Sequence, residues 1–184
     1  MAGELNCAAG VCTASKRLML ALTLLAATLP LGETLPPLKG EFLTGRQAIL
    51  PDASKGKVAL LALGFSYDSR IAVEAYVKRF REEFGSEPRV TFFEVPMIGG
   101  MARMGKWFID SGMRKGTPKA DHEHVITVYG GVDPWKKSLG VTDTKHAYLI
   151  LIDEKGVTRM IHGGGFDEAA YRVVAAKTRV LLAK

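Results

Sequence analysis

Cysteine is nearly absent: Cys7 and Cys12 are the only two in 184 residues. Thiol exchange needs a thiolate, so residues 13–184 supply no nucleophile for it and no disulfide to staple a fold. Four residues separate the two cysteines, which is not C-x-x-C spacing, and no cysteine–histidine cluster accompanies them as a zinc site requires. No apolar run approaches eighteen residues, so a membrane-spanning helix in the body of the chain is excluded. A basic tract is missing too. The net charge is +6, yet acids interrupt the bases, as in RFREEF (79–84) and KADHEH (119–124). This describes a mildly basic solvated surface and no nucleic-acid partner. A hydrolase elbow of the form G-x-S-x-G is also lacking. The nearest stretch, Gly64-Phe65-Ser66-Tyr67-Asp68, has no second glycine, and HGGGF (162–166) follows it instead of preceding it. HGGGF is therefore expected to be a glycine-rich turn.

At the N-terminus, Lys16 and Arg17 precede an apolar run from Leu18 to Leu29, which Pro30, Gly32, Pro36 and Pro37 then break. A run of twelve residues, apolar but for Thr23 and Thr28, matches an export-signal core better than a bilayer span. Residues 1–32 are accordingly expected to be a leader that exports the chain, leaving it periplasmic or anchored to the inner membrane facing the periplasm. Residues 33–56, rich in proline, follow as an extended lead-in.

From residue 57 onward the hydrophobic pattern alternates between strand and helix. KVALLALGF (57–65) is a continuous apolar run, the mark of a strand buried on both faces. SYDSR (66–70) turns into a helix whose Val73, Tyr76, Val77, Phe80 and Phe84 form one stripe. RVTFFEVPM (89–97) is a second buried strand, and 99–113 is a shorter helix expected to stop at Gly112. VITVYGG (125–131) predicts a strand, and DPWKKSLGV (133–141) a helix capped by Asp133 with Pro134 in its first turn. AYLILID and VTRMIHG pair across a turn holding Gly156, and Asp167 caps a last helix facing inward through Tyr171, Val174 and Leu181. A βαβ unit, a β-hairpin and a closing helix make the thioredoxin plan: α/β, a central mixed sheet flanked by helices, with an insertion around 115–140.

In that plan the redox motif opens the first helix, where the helix N-terminus stabilises a thiolate. Here the segment is Ser66-Tyr67-Asp68-Ser69, with serine at both sulfur positions. Ser66 and Ser69 are degenerate redox positions expected to cap the helix. The usual proline before the hairpin strand is replaced by His146-Ala147. Alternation puts His122 and His124 on one face of an extended segment, with Asp121 or Glu123 beside them, but a polar loop is the simpler reading and no metal is assigned. Trp107 and Trp135 are expected to be packing residues, and Asp153 a turn residue. No catalytic residue and no cofactor is expected.

WFIDSGMR (107–114), VITVYG with LGV downstream, and HAYLILIDEKGVTRMIHGGGFDEA (146–169) together resemble the mitochondrial ATP synthase assembly factors, the ATPase complex subunit ten family, and their bacterial relatives. Arg114 and the Gly163–Gly165 turn match family positions, whereas Met160 stands where the family has tryptophan. The resemblance implies a thioredoxin-like fold without an essential redox motif. It also implies a chaperone for the membrane sector of ATP synthase. The resulting expectation is a non-redox binding or assembly factor for a membrane complex, not an enzyme, meeting its protein partner through Tyr67, Asp68 and Arg114. The alternative is an enzyme of the thioredoxin and peroxiredoxin superfamily working without cysteine, or a small hydrolase.

Overall fold

Seven strands form one mixed sheet in the order β2-β1-β5-β4-β3-β6-β7 in the computed structural model, which describes residues 28–183. The apolar run of residues 57–65 becomes β3 (Val58–Gly64), buried but for Gly64, parallel to β4 (Val90–Ile98) and antiparallel to β6 (Ala147–Ile152). Side chains alternate across a strand. Leu61 and Leu63 therefore join one core with Phe93, Val95 and Ile150, while Val58, Leu60 and Ala62 join the other with Tyr76 and Phe80. The second core is covered by α1 (Arg70–Phe84) and α4 (Glu168–Leu182). All five residues of the stripe expected on α1 are buried. Asp167 caps α4 by accepting from the Ala170 amide at 2.9 Å. The hairpin partner of β6 is β7 (Thr158–Gly164), and Gly156 in their turn has φ +77°. This is the thioredoxin-like plan read from the sequence.

The stretch read as a lead-in is built into the sheet. β1 (Leu38–Phe42) and β2 (Gln47–Leu50) form a hairpin, and β1 pairs antiparallel with β5 (Ile126–Tyr129). Leu38, Phe42, Ala48 and Leu50 are buried, so these short alternating strands add to the first core. The segment around 115–140 supplies β5, parallel to β4, and then α3 (Val132–Ser138), with Trp135 packed against that core. The expected cap of α3 differs: Gly131 holds that position at φ +65°, a conformation open to glycine, and Asp133 lies inside the first turn. The helix expected to end at Gly112 begins as a 3₁₀ turn (Gly100–Gly105) and continues as α2 (Lys106–Gly116) through Gly112. Thr117 is extended because Pro118 follows it, and this ends the helix.

The leader falls outside the described residues up to residue 27. Leu29, the last residue of its apolar run, is buried, and its amide donates to the Ser138 carbonyl at 3.0 Å. Among the described residues, no helix is long and apolar enough to cross a membrane.

Candidate functional site at the start of the first helix

The parallel strands β3, β4 and β5 all end at one edge of the sheet, where β6 begins and β7 ends. Crevices outside the C-terminal ends of parallel strands are where α/β sheets hold ligands. The chain turns there from Gly64 through Phe65, Ser66, Tyr67, Asp68 and Ser69 into α1. Ser66 points outward and Ser69 is only 1% exposed. Their hydroxyls are interlocked. Ser69 Oγ donates to the Ser66 carbonyl at 2.6 Å, and Ser66 Oγ accepts from the Ser69 amide at 3.3 Å. The capping role expected of them is corrected for Ser69 only, since Ser66 Oγ does accept an amide three residues on. Ser69 stands at the cap position but bonds backward to Ser66, not forward into the helix.

Ser66 Oγ also donates to the Thr144 carbonyl at 2.7 Å, tying the turn to the loop before β6. That loop is folded by Tyr148, whose hydroxyl donates to the Asp143 carbonyl at 3.1 Å and accepts from the Thr142 amide at 3.2 Å. His146 Nε2 lies 3.7 Å from the Asp143 carboxylate. Thr144 and Ser66 are 78 residues apart, so no sequence signal joined them. Gly64 is the second residue that sequence reasoning passed over. A Cβ there would lie 2.5 Å from Ser69 Oγ, so only glycine lets the buried hydroxyl sit against the strand.

Tyr67 is 81% exposed, with the Arg70 guanidinium 5.3 Å from its ring centre, and Asp68 is exposed beside it. Arg114 is not part of this turn. It lies on α2, where its Nε donates to the Leu43 carbonyl at 2.7 Å and binds the helix to the end of the β1 hairpin. A guanidinium engaged with backbone is a weaker carboxylate partner than the sequence suggested. Ile71 is 73% exposed on the first turn of α1 and extends the apolar surface begun by Tyr67.

The two histidines considered for a metal are drawn apart. His122 Nε2 meets the Thr117 carbonyl at 3.0 Å, whereas His124 Nδ1 meets the Phe92 carbonyl at 3.0 Å and its ring stacks on Phe92. Asp121 pairs with Arg81, and Glu123 with Arg46 and Thr44. No group of three or more metal-ligating side chains occurs among the described residues. The HGGGF segment completes β7 and the turn into α4. Gly163 lies against the Tyr148 ring, and Tyr76 Oη donates to the Gly165 carbonyl at 3.0 Å. Trp107 is corrected from packing residue to surface residue, at 81% exposure. Asp153 does act as a turn residue. Burial alone would raise its pKa, but hydrogen bonds from the Val157 amide and Arg159 outweigh this and hold it below the ordinary carboxylate range.

A cavity of about 170 Å³ lies at the opposite end of β4, between Phe84, Val90, Phe92 and His124. Glu94 on β4 is pushed up to about 7, first by burial and then by the charges of Glu74 and Asp121, against the pull of Arg81. It sits away from the Ser66 turn and is a feature of the packing between β4 and α1.

No family profile matches the chain, and no curated protein matches it. Solved structures do. A thiol:disulfide interchange protein DsbE from Chlorobium tepidum is 17% identical with TM-score 0.59, covering 84% of this chain and 99% of its own. The exposed lipoprotein thioredoxin Etrx1 from Streptococcus pneumoniae is 17% identical with TM-score 0.52, covering 78% and 99%. The thioredoxin domain of a thiol-disulfide oxidoreductase from Bacteroides vulgatus is 19% identical with TM-score 0.51, covering 81% and 98%. At these identities the likeness is one of fold: the chain is thioredoxin-like. The neighbours' names correct the expectation of a non-redox assembly factor that is not an enzyme, because they are thiol–disulfide exchange proteins. The residues at the matching turn here are nevertheless Ser66 and Ser69.

Proposed function

We propose that the chain promotes thiol–disulfide exchange outside the cytoplasm, acting on sulfur atoms that its substrates bring, at the N-terminus of α1. The observation that supports this is the turn itself, with Ser66 outward and Ser69 buried at the head of a 15-residue helix on the central strand. Aligned peptide dipoles favour an anion at that end, and a thiolate is the anion exchange requires. In each step a thiolate attacks one sulfur of a disulfide. A new S–S bond forms, the old one breaks, and the departing sulfur leaves as a thiolate that takes a proton from water. Both sulfurs benefit from the helix terminus, and neither has to belong to this chain. The substrates are thus a disulfide-bearing polypeptide and a second thiol.

Tyr67 and Ile71 offer apolar contact to the polypeptide. Arg70, Lys145 and His146 bring basic groups to the turn, Arg70 lying 3.5 Å from Glu74 and His146 3.7 Å from Asp143. The Ser66 hydroxyl is free to donate to an incoming anion once it leaves the Thr144 carbonyl. Location in the periplasm or on the inner membrane rests on Lys16, Arg17 and the run from Leu18 to Leu29. The narrower likeness to the ATP synthase assembly factors rests on residues 107–114, VITVYG with LGV downstream, and residues 146–169.

The test uses the full chain carrying Cys7→Ser and Cys12→Ser, so that no protein thiol contributes. Glutathione and a peptide with an internal disulfide are mixed, and release of peptide thiol is followed. Acceleration on the order of tenfold is expected, equivalent to roughly 1.4 kcal/mol of barrier, and Tyr67→Ala with Ile71→Ala should reduce it. A rate equal to that of the uncatalysed mixture rules the reading out.

A further inference from the structure

Helix α2 is amphipathic in the reverse sense. Several of its polar groups face the protein: Lys106 Nζ meets Asp110 Oδ2 at 2.8 Å and Glu41 Oε1 at 3.2 Å. Tyr129 Oη donates to Asp110 Oδ1 at 2.6 Å, and Asp110, 4% exposed, is the buried residue of the helix. Two of its four large apolar groups face outward, while Ile109 and Met113 are half-buried. Trp107 and Phe108 are 81% and 76% exposed, and Met104 on the preceding turn is 84% exposed. The three fall at i, i+3 and i+4, so they share one side of the segment. A contiguous apolar surface of this kind marks an interaction site. The surrounding charge indicates which kind. Residues 99–119 carry Arg103, Lys106, Arg114, Lys115 and Lys119 against the single acid Asp110, which is already paired with Lys106. Lys115 lies on the outer face, two turns beyond Trp107 and Phe108.

We propose that the outer face of α2 docks on the surface of a bilayer containing anionic phospholipid. Trp107, Phe108 and Met104 enter the headgroup boundary, and the exposed Lys115 and Lys119 meet the phosphates. A tryptophan and a phenylalanine beside lysine and arginine on one helix face have the composition of an interfacial helix, whose affinity combines apolar burial with attraction to anionic lipid. A second copy is a poorer occupant, because an isologous contact would bring two sets of these bases together. This inference is independent of the exchange reading, since α2 lies on β5 and β1 while the Ser66 turn opens α1.

The experiment uses the full chain with Trp135→Phe, which leaves Trp107 as its only tryptophan. Vesicles of phosphatidylglycerol and phosphatidylcholine with brominated acyl chains are compared with phosphatidylcholine vesicles alone. Docking is expected to shift Trp107 emission to the blue and quench it on the anionic vesicles. Met104→Ser with Phe108→Ser should weaken that response on the order of tenfold while leaving the thermal midpoint within about 2 °C, as for exposed positions generally. Three results would overturn the proposal. The first is Trp107 left unquenched on vesicles that the chain binds through its N-terminal run alone. The second is an equal response to neutral and anionic lipid. The third is Trp107 shielded without lipid, in a chain that elutes as a dimer or that binds a polypeptide there.

Discussion

Gly64 and Ser69 occupy one small volume, and the turn depends on that economy. Adding a methyl at Gly64 brings a Cβ within 2.5 Å of Ser69 Oγ but leaves 3.5 Å to Ser69 Cβ, an ordinary contact. Gly64→Ala is therefore expected to destabilise the chain by about 1–3 kcal/mol through overpacking. Adding Ser69→Ala should recover most of the loss, a coupling read from urea midpoints of the two single variants and the double. Equal and additive losses would mean that the hydroxyl is not the obstacle. Both serines were legible in the sequence because they stand at a known place in the expected plan. Gly64 was not, since a close approach depends on where a side chain three dimensions away has been folded. The same limit applies to Arg114. Its type suggested a carboxylate partner, and its place beside the Leu43 carbonyl was decided by packing across 71 residues.

Elements differ in how strongly they are held, and β4 and α2 show the two extremes. β4 is central, and it carries Glu94 into a partly buried position beside Glu74 and Asp121. Its carboxyl titrates near 7 in the folded chain, against an ordinary value of 4.5. The folded state thus holds the proton more tightly. Stability is fully present below about 4.5, falls as pH rises toward 7, and is level above that. Wild type should lose on the order of 2–3 kcal/mol over that window relative to Glu94→Gln, which lacks the titration, in denaturation curves taken at pH 4.5 and 7.5. Parallel curves for the two proteins would refute the burial of this charge. By contrast α2 is held by a few polar contacts, Asp110 with Tyr129, Lys106 with Glu41 and Arg114 with the Leu43 carbonyl. Removing the first with Asp110→Ala should loosen the helix and cost about 1–3 kcal/mol, accompanied by faster cleavage after Lys115 by trypsin. An unchanged cleavage rate would show that other contacts hold α2. Long periodic elements such as α1 were plain from their apolar spacing. The β1–β2 hairpin was not, because its strands are short, flanked by proline, and ordered by pairing with β5 about 85 residues away.

Across the whole molecule one sheet edge gathers the groups on which exchange is proposed to depend. β3 ends there, α1 begins there, and the loop before β6 is fastened to it through Ser66 and Thr144. The layered architecture followed from the order of apolar runs, since parallel strands joined by helices admit few arrangements. The composition of the site followed from cysteine counting, which no amount of folding alters. What composition could not convey is that the serine turn keeps one outward and one buried position at a helix terminus, a geometry suited to stabilising sulfur anions. The most direct test is therefore the ionisation of a single thiol placed at that terminus. Ser66→Cys is introduced into the full chain bearing Cys7→Ser and Cys12→Ser, and its alkylation rate by iodoacetamide is followed against pH. A helix N-terminus flanked by Arg70 and Lys145 is expected to bring the thiol pKa down from about 8.5 to roughly 7 or below. A thiol that ionises at 8.5 or higher in a protein of unchanged circular dichroism would contradict the assignment of this turn as the exchange site.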